Sequence, residues 1–122
     1  MTADEMRKRT KAFSLAIISL ITDFPDALVA NRIADQLVRC GTSVGANYRA
    51  VSRARSKADF INKLNIVLEE ADESLFWLEI TGESNILPDN KLNPLKIEIN
   101  EIISILVASI KTSKNNSDNK PK

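Results

Sequence analysis

The side chains whose types and spacing could do chemistry are charged ones, and they fall in blocks. Arg39, Arg49, Arg53, Arg55, Lys57 and Lys63 stand with a single acid, Asp59, among them. The sign then reverses, because Glu69, Glu70, Asp72, Glu73, Glu79 and Glu83 follow with no Lys or Arg in between. Clustered guanidinium and ammonium groups bind phosphates or carboxylates, whereas carboxylates are the chain's only acid/base candidates. The blocks cancel in the mean: 17 Lys and Arg against 16 Asp and Glu give a net charge of +1 over 122 residues. The chain is electrically polar although nearly neutral.

Composition removes most catalytic classes. With no His, catalytic triads, His-ligated zinc and His acid/base chemistry are excluded, and the lone Cys40 can form neither an internal disulfide nor a Cys-based metal site. Gly41, Gly45 and Gly82 are the only glycines, too few and wrongly spaced for a phosphate loop or a dinucleotide-binding turn. Glu69, Glu70 and Glu73 imitate the carboxylates of bundle di-metal sites, but the Glu-x-x-His partner is missing. No catalytic residue, metal or cofactor is expected. Cys40 falls on an apolar helix face, where a buried and inert thiol is expected, and Ser43 and Asn47 beside it read as inter-helix hydrogen-bonders.

The elements that must position these charges are helices. Phe13, Ile17, Leu20, Ile21 and Phe24 repeat with helical period and predict a first helix over about 3–23, ended by Pro25. Ile33, Leu37, Cys40, Val44, Tyr48 and Val51 predict a second over about 26–54. The third, about 57–81, opens on a capping box from Ser56 to Asp59 and carries Phe60, Leu64, Val67, Ala71, Leu75 and Leu78, with Gly82 as its left-handed stop. Leu95, Ile99, Ile102, Ile103, Leu106 and Ile110 predict the fourth, about 91–111, and residues 112–122 read as a disordered polar tail. Four helices with short connections and no strand-like alternation predict one all-α domain, an antiparallel up-and-down four-helix bundle over 1–111. Arg7, Lys8, Arg9 and Lys11 before the apolar run 12–21 imitate a signal peptide. Asp4 and Glu5 spoil that pattern and ten apolar residues are too few to span a bilayer, so a cytoplasmic protein is expected.

On the second helix Arg32, Arg39, Ala46, Ala50 and Arg53 lie opposite the apolar stripe. This face, widened by Arg49, Arg55, Lys57 and Lys63, reads either as a solvated surface or as a basic site whose small centre admits a phosphate backbone or a partner helix. No aromatic side chains interleave for base stacking. On the third helix Ile66, Glu70, Glu73 and Trp77 form a second stripe away from the core and predict a subunit interface. Leu15, Ile18, Ile97 and Ile105 are further off-stripe apolar residues that favour self-association.

The run Gly41-Thr-Ser-Val-Gly-Ala-Asn-Tyr48, followed by Ala54-Arg-Ser-Lys57, Asp59-Phe-Ile61, Lys63, Glu70-Ala71, Glu73-Ser74 and Trp77-Leu78, resembles the bacterial 23S rRNA intervening-sequence protein family. The matched stretch spans about a third of the chain. After Arg49 the family commonly carries Glu-Ala where this chain has Ala50-Val51, which makes this face more basic. The resemblance implies a bundle that assembles into a ring-like homo-oligomer, a pentamer, with a positive surface and no enzymatic activity. It also implies kinship with the accessory variability determinants of diversity-generating retroelements, which cooperate with a reverse transcriptase and contact nucleic acid. Carried over by position, Arg49, Arg55, Lys57 and Lys63 match the basic surface, and Trp77 with Glu70 and Glu73 the subunit contact. Residues and resemblance together predict a non-enzymatic oligomer that binds structured RNA or an RNA–DNA intermediate through its backbone. The alternative is a scaffold docking on a protein such as a reverse transcriptase. No membrane partner is expected.

Overall fold

The computed structural model describes residues 1–118, with four helices among them: α1 (Ala3–Ile21), α2 (Leu28–Val51), α3 (Lys57–Glu83) and α4 (Asp89–Asp118). Each successive pair packs side by side, α4 closes back on α1, and the backbones of α1 and α3 stay apart. The connections are too short for anything but reversal, so the helices alternate in direction around a square and α1 and α3 run parallel on its diagonal.

The predicted stripes form the core. All six residues named for α2 are buried, as are Phe13, Ile17 and Leu20 of α1, Leu64, Val67, Ala71 and Leu78 of α3, and Ile99, Ile102, Leu106 and Ile110 of α4. Ile21, Phe24, Phe60, Leu75, Leu95 and Ile103 pack against them from the rim. Polar residues also line the α1/α2 seam, where Thr10 and Ser14 are buried beside Gly41 and Gly45. The Ser14 hydroxyl donates to the Gly41 carbonyl at 2.8 Å and accepts from the Gly45 N–H at 3.2 Å, sitting astride one hydrogen bond of α2. Gly41 and Gly45 are therefore packing residues that let α1 approach the α2 backbone.

The helix ends depart from the periodicity in ways local chemistry explains. Ala27 is extended and caps α2 without a side-chain bond, so α2 starts at Leu28. At its other end the N–H groups of Arg53 and Ala54 fold onto Ala50 and Val51 carbonyls at 3.0 and 3.1 Å, which places Arg53 in the turn. Gly82 is not the left-handed stop: α3 runs on to Glu83, and Asn85 takes that conformation at φ 61°. Asn85 N–H to Gly82 O and Ile86 N–H to Thr81 O, both 3.0 Å, complete a Schellman closure. Helix α4 starts at Asp89 and continues to Asp118, so residues 112–118, expected as disordered tail, are helical. No Gly or Pro interrupts them, and each added residue gains a backbone bond. The rest of that tail, 119–122, lies outside the described residues.

Candidate nucleic-acid interface

The turn between α2 and α3 gathers the basic block at one end of the bundle. Its fold rests on a modified capping box: Ser56 Oγ accepts from Asp59 N–H at 3.0 Å, while Asp59 Oδ2 accepts from Arg55 N–H at 2.9 Å. The carboxylate thus reaches one residue beyond the cap and orders the backbone that carries Arg55. That bond, aided by Lys63 at 3.6 Å, holds the Asp59 carboxyl below its usual range. The one acid of the block is consumed in shaping it.

Ala50, Arg53, Arg55, Ser56, Asp59 and Lys63 line a shallow pocket at this turn. One turn earlier on α2, Ala46 and Arg49 face the opposite way, into a groove against Arg7, Lys11, Leu15 and Ile18 of α1. The exposed ridge of α2 therefore separates two concave basic surfaces, the first wholly polar apart from Ala50 and the second rimmed by apolar side chains. Arg49 and Arg53 lie at or just beyond the α2 C-terminus, where the helix dipole favours cations. Lys57 opens α3 beside the same turn and is half-buried. Arg7 and Lys11 were missed by the sequence reading, because nothing in their local pattern says that α1 lays them beside Arg49.

Two residues of the predicted basic face do not belong to it. Arg32 lies 17 positions before Arg49 on the same helix, about 25 Å away. It pairs with Asp35 at 3.6 Å and lines a groove with Trp77. Arg39 reaches across to α3, where its guanidinium holds Glu73 and, at 3.4 Å, Glu70. This ion cluster also corrects the predicted interface stripe. Glu70 and Glu73 bind their own Arg39, and Trp77 is half-buried against the core with its ring edge-on to Phe76 at 5.0 Å. Of the four, Ile66 alone stands in the open. The outermost line of α3 runs instead through Ile66, Glu69, Asp72, Phe76 and Glu79. A wheel drawn from the stripe could not separate these positions from Glu70, Glu73 and Trp77, one residue on, without knowing which side α2 covers.

Cys40 is buried, and burial pushes its thiol pKa up. Among the described residues no group of His, Cys, Asp or Glu could hold a metal ion, and no helix is long and apolar enough to cross a membrane.

A four-helix bundle whose α2/α3 turn carries most of its unpaired arginines is the class of protein that these observations define. Residues 4–108 match the 23S rRNA-intervening sequence protein family, and the chain belongs to that family. A crystal structure of a protein of unknown function from the S23 ribosomal protein family of Bacteroides thetaiotaomicron superposes with a TM-score of 0.80. The two share 33% identity over 91% of this chain and 99% of the other. No protein of curated function matches the sequence.

Proposed function

We propose that the protein is a non-enzymatic, self-associating bundle that binds the backbone of structured RNA, or of an RNA–DNA intermediate, through the α2/α3 turn. The observation that carries this reading is the ordered cluster of Arg53, Arg55 and Lys63 in one pocket at the turn, with Lys57 beside it and Arg49 across the α2 ridge, whose only carboxylate, Asp59, already accepts the Arg55 N–H and faces Lys63 at 3.6 Å. Such a cluster makes several phosphate contacts and stacks on no base, because no aromatic side chain lines the pocket. A single patch of this size binds weakly. Several copies in one assembly raise the avidity without any new kind of contact.

The test is fluorescence anisotropy of nuclease-treated protein against structured RNA, single-stranded DNA and duplex DNA, each over a salt series. Four or five phosphates give a log–log salt slope of about −3 to −4.5 across single strands and duplexes. Replacing Arg49, Arg53 and Lys57 by Ala should flatten that slope by about 2 to 3. An unchanged slope in the triple variant removes this turn as the site, and no binding at low salt removes the reading.

A further inference from the structure

The pocket at the α2/α3 turn holds one group that phosphate binding alone does not favour. Arg53, Arg55 and Lys63 line it, but so does Asp59, whose side chain is 28% exposed. A carboxylate set against a nucleic-acid backbone repels the phosphates on either side of it. Shaping the turn engages only one of its two oxygens, since Oδ2 accepts the Arg55 N–H at 2.9 Å. Oδ1 is turned toward Lys63, whose Nζ at 3.6 Å is an ion-pair partner outside hydrogen-bond reach. Among the described residues Oδ1 accepts no hydrogen bond, and the backbone bond to Oδ2 fixes where it stands.

Held below its usual range, this carboxyl is ionised at neutral pH and offers lone pairs only. Its ligand is therefore a hydrogen-bond donor, and one that lies close to the phosphates held by the neighbouring cations. Within a continuous strand the backbone has one such group. Phosphate, ester and ring oxygens only accept, whereas the ribose 2′-hydroxyl donates, and it is the group by which a protein tells RNA from DNA. The pocket, about 570 Å³, has room for a sugar beside the phosphates it joins.

We propose that the α2/α3 turn selects RNA over DNA, with Asp59 Oδ1 accepting a ribose 2′-hydroxyl while Arg53, Arg55 and Lys63 hold the phosphates that flank the sugar. The inference rests on the reading that this turn binds nucleic acid, and adds which polymer it takes. The cations attract any polynucleotide. The acid lowers that affinity unless a 2′-hydroxyl offsets the repulsion, so discrimination comes as much from rejecting deoxyribose as from binding ribose. One hydrogen bond to a charged group at a partly exposed site corresponds to a preference of about tenfold.

Fluorescence anisotropy against one hairpin in ribose, 2′-fluoro and 2′-deoxy forms separates the hydroxyl from helix shape, because the 2′-fluoro strand keeps the A-form helix and has no donor. The wild-type protein should bind the ribose form about tenfold more tightly than either analogue. Asp59→Ala should bind the ribose and 2′-fluoro forms alike, and the deoxy form more tightly than wild type does. Ser56→Ala removes the other half of the cap and keeps the carboxylate, so its preference should match wild type, with circular dichroism as the control for folding. Equal binding of the ribose and 2′-fluoro hairpins by wild type overturns the proposal while leaving the turn as a nucleic-acid site. An Asp59→Ala protein that keeps the tenfold preference overturns it too. If that variant does not fold, the wild-type comparison decides alone. No binding of any form at low salt removes the nucleic-acid reading itself, and this inference with it.

Discussion

Gly45→Ala tests whether the α1/α2 seam is as tight as its geometry demands. A Cβ at position 45 would lie 2.7 Å from Ser14 Oγ, 3.2 Å from the Thr10 carbonyl oxygen and 3.3 Å from Lys11 Cα. Two of these three neighbours are backbone, which no rotamer change can move, so α1 must shift outward. In a well-packed seam this costs about 1 to 3 kcal/mol. Displacing Ser14 from its bonds to Gly41 O and Gly45 N adds about 1 kcal/mol for a poorly paired buried hydroxyl. Against these, alanine gains about 1 kcal/mol of helix propensity over glycine. The net expectation is a loss of about 1 to 3 kcal/mol. In urea denaturation followed by far-UV circular dichroism, a loss of 2 kcal/mol lowers the midpoint by about 1 M at a slope of about 2 kcal/mol per M. Ser14→Ala removes the nearest obstacle, so S14A/G45A should be more stable than the two separate losses predict. A Gly45→Ala protein as stable as wild type would refute the close approach, and strict additivity in the double variant would refute Ser14 as the obstacle.

Ser56→Ala should cost about 1 kcal/mol through the lost α3 cap, read from the same urea transition. Asp59 titrates lower in the folded chain than in the unfolded one because it accepts the Arg55 N–H. Its contribution is therefore present above the unfolded value near 4 and is lost as pH falls through the folded one. Asp59→Asn should flatten the stability profile in that acidic window and leave the profile between pH 6 and 8 parallel to wild type. Arg9 bridges Glu98 at 2.7 Å and also Glu101, tying α1 to α4. Arg9→Ala should destabilise by about 1 kcal/mol at low salt and less at high salt, since the cluster is partly exposed. Cys40, buried and with its thiol pKa raised, should react with a thiol reagent only at the rate of unfolding, measured by mass spectrometry; fast native labelling would contradict the packing of the α2/α3 seam.

The fold was largely legible because burial here follows helical period. Every predicted α2 core residue is buried, since α2 touches both neighbours along its whole apolar stripe. On α1 the stripe was read only from Phe13 onward. Met6, Thr10 and Ser14 continue it toward the N-terminus, but two of the three are polar, and their burial depends on glycines that stand on another helix. Helix ends were less legible. Asn85 outcompetes Gly82 as the left-handed residue because the Schellman bonds place the turn three residues later.

The site was legible as a block of charge and not as a surface, for a reason that lies in the topology. A basic block centred on a turn folds back on itself, so Arg49, Arg53, Arg55 and Lys63 gather at one end of the bundle. The same reversal sets the early part of the block beside the acidic run that follows on α3. Arg39, ten residues before Arg49, therefore meets Glu70 and Glu73 and becomes a clasp between α2 and α3. Distance from the turn decides which arginines remain free and which are neutralised, and the sequence displays this once the hairpin is drawn. The same rule divides the acids. Glu70 and Glu73, on the α2 side of α3, have an internal partner in Arg39, whereas Glu69 and Asp72, turned outward, pair with no cation among the described residues.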